Sequence, residues 1–154
     1  MNAHSMTWLS FGAHTEHPGA LRADIQPLAA VATDIRALSF PDGHFDGIEA
    51  IAVLEHLHRD DALAAVRECW RVLKPGGVLE AGTQDMLKCA QTLLAGDMKI
   101  MLNIYSPARP VPERHQWGYT PATFRQLLEA GGFCAVTELA AADPHEVRML
   151  GYKP

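Results

Sequence analysis

The sequence predicts an α/β protein, a mostly parallel sheet with helices on both faces and an antiparallel strand at its C-terminal edge. Three observations carry this. Short apolar runs alternate with segments of helical spacing along the chain. A Lys74-Pro75-Gly76-Gly77 turn stands between a helical stretch and an apolar run. The last two apolar runs follow each other with no helix between them, as an antiparallel edge pair would.

Thr7 to Phe11 reads as a first strand, Leu21 to Ile25 as a second, and Val31 to Ile35 as a short third. Asp46 to Val53 is apolar enough for a buried fourth strand. Asp60 to Leu73 carries Leu63, Val66, Trp70 and Leu73 at helical spacing, with Asp60 or Asp61 expected as its cap. Pro75-Gly76-Gly77 stops that helix, and Val78 to Thr83 follows as a fifth strand. Met86 to Leu102 is expected to be helical with a break near Gly96. The proline-rich stretch Ser106 to Pro112 is a loop. Pro121 to Ala130 is a helix with Thr120 as its cap, ended by Gly131-Gly132. Phe133 to Leu139 and Glu146 to Tyr152 complete the sheet.

A chain of 154 residues with 48% apolar content supports one domain, 1–154, with a real core. A net charge of -5 and no basic patch argue against nucleic-acid binding. Cys69, Cys89 and Cys134 are far apart and odd in number, which suggests free, mostly buried thiols in a reducing compartment. There is no leader-like N-terminus, and the most apolar region, Met86 to Tyr105, is interrupted by Lys88, Asp97 and Lys99. A cytoplasmic protein with no membrane contact is expected.

The order Phe40-Pro41-Asp42-Gly43-His44-Phe45-Asp46, then Val53-Leu54-Glu55-His56-Leu57, then Lys74-Pro75-Gly76-Gly77-Val78-Leu79 resembles the middle of a class I S-adenosylmethionine (SAM)-dependent methyltransferase of the type 11 kind. The match runs over about Leu9 to Leu79 and implies a Rossmann-like sheet, SAM as cofactor and methyl transfer as activity. Open sheets of this kind bind ligands at the carboxyl ends of their strands.

The resemblance then assigns cofactor-binding roles. Gly12, Ala13 and His14 form the first turn, with His14 where the family has a second glycine. Asp24, followed by Ile25, would accept the ribose hydroxyls, or else it simply starts a loop. Its short distance from Gly12, across Pro18-Gly19, is that of a methyltransferase subgroup with a reduced first crossover and disfavours a nicotinamide cofactor. Asp34 would meet the adenine amino group with Ile35 packed on the ring, or Asp34 caps a turn. Ala50 would face the methionine part, and His56 either lines the pocket or caps the loop.

Methyl transfer to a hydroxyl benefits from a base near neutrality, and His115, in Arg114 to Thr120, is the catalytic candidate. That stretch is expected to arch over the carboxyl edge of the sheet, with Trp117 and Tyr119 as a wall for the acceptor or as core. Glu55, His56 and His58 could be drawn as metal ligands, but their spacing is not diagnostic and no metal is expected. The expected partner is a small molecule or glycan precursor. A homodimer is compatible, with Met98, Met101, Leu102 and Tyr105 either its contact face or plain core. The rival to an enzyme is a non-catalytic module that kept the sheet and lost the SAM site.

Overall fold

The structure is a computed structural model and describes residues 6–12, 17, 19–24, 30–107 and 114–154. Seven strands form one sheet in the order β3-β2-β1-β4-β5-β7-β6. They are β1 (Trp8–Phe11), β2 (Leu21–Asp24), β3 (Val31–Ala32), β4 (Phe45–Ile51), β5 (Leu73–Gln84), β6 (Cys134–Leu139) and β7 (Glu146–Tyr152). Strands β1 to β5 are parallel, while β7 runs antiparallel to both β5 and β6. The helices are α1 (Arg59–Val72), α2 (Met86–Leu94), α3 (Ile100–Tyr105) and α4 (Pro121–Ala130), with a single 3-10 turn at Leu54–His56.

The pleat explains the core. Leu9 and Phe11, Ile48 and Ala50, Leu79 and Ala81, and Val147 and Met149 are all buried and alternate along their strands. Ala62, Ala65, Val66, Cys69 and Val72 of α1 and Phe124 and Leu128 of α4 complete the cluster. Burial pushes the Cys69 thiol up to about 12. Cys89 is buried too, whereas Cys134 is exposed, so the expectation of buried thiols holds for two of the three.

Several boundaries differ from the sequence reading. The third strand keeps only Val31–Ala32, because Asp34 bridges to Ala37 in a turn. The fourth ends at Ile51, where Ala52 takes φ +56 and turns the chain. Neither Asp60 nor Asp61 caps α1; His58 occupies that position without a side-chain bond, and both aspartates lie in the first turn, where they favour the helix dipole. The Lys74 to Gly77 segment lies inside a ladder that already starts at Leu73, paired with Phe45. The segment does not reverse the chain as expected: Leu73 and Val78 both pair in parallel with β4, so it is a bulge in which Gly76 takes φ +77, held by Gly76 N–H to the Lys153 carbonyl and Lys153 N–H to the Gly77 carbonyl. The break in the Met86 to Leu102 stretch falls at Gly96, φ +94, as expected. Thr120 caps α4 in a reciprocal capping box with Thr123.

The segment before β4 is fixed by one side chain. Arg71 donates to the carbonyls of Leu38 and Phe40 and to the carboxylates of Glu68 and Asp42. Burial of Phe45 (2% exposed) against this turn is what the Phe40 to Asp46 motif achieves. Met98, Leu102 and Tyr105 are well exposed, so the apolar face of the α2–α3 region is not plain core. No helix among the described residues is long and apolar enough to cross a membrane.

Candidate functional site

The sheet order changes direction between β1 and β4, which opens a crevice at their carboxyl ends. Phe11 pairs with Ala23 on one side and Ala50 on the other, so Gly12 lies next to Asp24 and next to Ile51. A Cβ on Gly12 would meet the Ile51 carbonyl oxygen at 2.5 Å, and φ there is +95. Only glycine fits, but the first thing a side chain would strike is the end of β4. The Gly12 carbonyl accepts from the Arg22 guanidinium at 3.3 Å. Asp24 is half-buried at the tip of β2, its carbonyl accepting from Thr33 N–H at 2.9 Å. Ala13, His14 and Ile25 lie outside the described residues.

Asp34 stands at the tip of β3, and its carboxylate is occupied. The Arg36 backbone N–H and Nε donate to Oδ1, and Nε and the terminal nitrogen donate to Oδ2, at 2.7 to 3.1 Å. These bonds hold the Asp34 carboxyl below its usual range. Arg36 also bonds Asp61 at 2.9 Å. Ile35 is buried in the core cluster. Ala50 is likewise buried (1% exposed), so the residue that surfaces at the end of β4 is Ala52.

Beyond Ala52 the chain winds into the 3-10 turn that carries Glu55 and His56. The loop before α4 is stitched to it: Gln116 N–H and Trp117 N–H both donate to the Glu55 carbonyl, at 2.7 and 3.2 Å. On its other flank the loop lies along the end of β5, through the Asp85–Tyr119 bridge and Met86 N–H to the Tyr119 carbonyl. The expected arch over the carboxyl edge is therefore present. It brings the His115 ring to 4.8 Å from that of His56, edge to face.

Around this pair, Thr83 Oγ1 donates to Glu55 Oε2 at 3.3 Å, and Ser106 Oγ lies 3.1 Å from His115 Nε2. Tyr119 is buried against Phe124, and burial together with the nearby Glu55 charge pushes its phenol up to about 12. Trp117 remains exposed. One ligand atom from each of Glu55, His56 and His115 falls within 4.8 Å of the others. The sequence reading had set His58, which is exposed, beside Glu55 and His56; the fold supplies His115 instead. Nothing local in the sequence pairs positions 56 and 115. Ala52 was also missed as a feature of the site, since an alanine carries no sign of positive φ.

Comparison with known proteins follows this geometry. Residues 13–81 match a family described as a methyltransferase domain. A probable S-adenosylmethionine-dependent methyltransferase of Mycolicibacterium smegmatis is 30% identical over 102 residues, 65% of this chain and 33% of that protein. The chain thus spans about a third of the length of this curated relative. A SAM-dependent methyltransferase from Archaeoglobus fulgidus superposes with TM-score 0.68 at 15% identity, covering 97% of this chain and 87% of the other. The protein PigF, solved with S-adenosylhomocysteine (SAH), superposes with TM-score 0.63 at 14% identity, covering 97% and 50%.

Proposed function

We propose that this chain, whose residues 13–81 match a methyltransferase-domain family, is a class I SAM-dependent methyltransferase that moves a methyl group from SAM to a small-molecule or glycan-precursor acceptor. The observation that carries this is the adjacency of Gly12 and Asp24 at neighbouring strand tips beside the β1–β4 crevice. SAM supplies a sulfonium methyl group that is already electrophilic. The protein must hold a nucleophile in line with it and keep water away. In this reading Asp24 accepts hydrogen bonds from the ribose hydroxyls next to the Gly12 turn, and the family resemblance gives Ala13, His14 and Ile25 cofactor-binding roles as well. Ala52, exposed at the end of β4, takes the place beside the methionine part that buried Ala50 was expected to fill, and His56 closes the far side. His115, poised above the carboxyl edge, takes the proton of an acceptor hydroxyl, and Trp117 gives that acceptor an exposed aromatic plane. The working setting is cytoplasmic, without nucleic acid or membrane, and the exposed Met98, Leu102 and Tyr105 are where a second copy would seat.

A second reading, a non-catalytic methyltransferase-like module, is favoured by one observation. Four hydrogen bonds from Arg36 fill the acceptor sites of the Asp34 carboxylate that adenine would need.

Calorimetric titration with SAH separates the two. Micromolar binding that disappears in Asp24→Ala supports the enzyme. No heat at millimolar SAH, with the protein folded by circular dichroism, supports the module.

A further inference from the structure

We propose that Glu55, His56 and His115 form a binding site for a divalent transition-metal ion of the zinc class, at the carboxyl edge of the sheet. The donor set is two imidazoles and one carboxylate. That combination favours zinc, cobalt, nickel or ferrous iron over magnesium or calcium, which prefer all-oxygen shells. Three protein ligands leave at least one position open, as in catalytic rather than structural zinc sites.

The geometry is near what an ion requires. Ligand atoms already within 4.8 Å of one another need to close to about 3.3 Å around a tetrahedral zinc, the separation set by its bond lengths. Closing that gap asks the three side chains to exchange some of their present contacts for the ion. The backbone is held from both sides, since the loop carrying His115 is hydrogen-bonded to the very residue, Glu55, that supplies the carboxylate. Outer groups are present as well. Thr83 Oγ1 fixes one Glu55 oxygen, and Ser106 Oγ meets the His115 ring. Such contacts orient ligands and set their tautomers in metal sites.

A second observation is independent of the three ligands. Tyr119 is 3% exposed, and its hydroxyl has no hydrogen-bond partner among the described residues. Buried hydroxyls rarely stand alone. The Glu55 charge acts on this phenol, and the loop that carries Tyr119 is hydrogen-bonded to Glu55 through Gln116 and Trp117, so the lone hydroxyl belongs to the same corner of the fold as the three ligands.

Were the ion bound, His115 would be its ligand rather than the general base, and the open position would instead lower the pKa of an acceptor hydroxyl, so the acceptor class is one with an oxygen, nitrogen or thiolate able to ligate a metal. That last step rests on the methyl-transfer reading; metal binding does not.

The test uses the full chain, untagged and stripped of metal, titrated with Co²⁺ and followed by its visible d–d absorption. One equivalent with a four- or five-coordinate spectrum, displaced by Zn²⁺, is expected. His56→Ala and His115→Ala should each weaken binding about tenfold or more, the scale on which metal sites respond to lost partners. His44→Ala, at a histidine packed on Phe40 and Phe45 at the opposite, amino end of β4, should not. Should an alanine variant fail to fold, His115→Gln takes its place. No cobalt spectrum at millimolar ion, or an affinity indifferent to both histidines, overturns the proposal. SAH titration of the same samples keeps the two ideas apart: cobalt bound through His56 and His115 without SAH binding supports the site and removes the transferase.

Discussion

Lys74 places its ammonium 2.9 Å from each carboxylate oxygen of Asp46, and Thr7 donates both its N–H and its hydroxyl to the same carboxylate at 2.8 Å. This contact joins the start of β1, the start of β4 and the Lys74 to Gly77 turn. It holds the Asp46 carboxyl down to about 2, with the Lys74 bond the largest cause.

A depressed folded pKa gives a stability increment that is full above the ordinary carboxyl range and is lost as pH falls through about 2. Asp46→Asn should therefore lower stability at pH 7 by about 1 kcal/mol, after allowing for solvent screening. The difference from the parent should shrink between pH 4 and pH 2. Urea titrations across that range check this; a gap of constant size would refute it.

Gly12→Ala should destabilise the protein by about 1–3 kcal/mol without any ligand present, because φ is +95 and the new methyl would overlap the Ile51 carbonyl. Thermal melts of the apo protein measure it. An unchanged melting temperature would mean that the turn relaxes freely.

Asp34→Asn should lower stability by about 1 kcal/mol, since it breaks up the Arg36 bridge to Asp34 and Asp61. Its SAH affinity should stay within about threefold of the parent, a shift of under 1 kcal/mol. A tenfold loss would instead identify Asp34 as the adenine partner.

Ala52→Gly should raise stability by about 0.5–1 kcal/mol, because glycine takes φ +56 without steric cost and the alanine side chain is exposed. Chemical denaturation reads this directly, and a loss of stability would show that the methyl group packs usefully.

Tyr119→Phe should leave stability unchanged or raise it by up to about 1 kcal/mol, since it removes a buried hydroxyl that lacks a partner. A marked fall in melting temperature would reveal a hydrogen bond to that oxygen.

What could be read from the residues was what depends on neighbours in the chain. The apolar runs of β1 and β4, the helical spacing of Leu63, Val66 and Trp70, the Thr120 cap and the Gly96 break are all local, and each is present. The KPGG turn located β5 even though pairing with Phe45 begins earlier, at Leu73. The failures share a cause. Asp60 or Asp61 was expected to cap α1, but the helix starts earlier, at Arg59 with His58 in the cap position, and Asp61 pairs with Arg36. Asp34 looked available at a strand tip, yet the arginine two residues on encloses it. The approach of His115 to His56 depends on a loop registering against Glu55 across the fold, which no window of sequence contains.

The insertion of β7 between β5 and β6 has a consequence for the nascent chain. Strand β5 can pair with β4 as soon as it leaves the ribosome, but its other edge stays open until α2, α3, α4 and β6 have all been made. Over that interval the long hydrogen-bonding rim from Val78 to Gln84 is exposed to any extended peptide nearby. Synthesis halted before Glu146 should therefore yield aggregates rather than a smaller soluble fold.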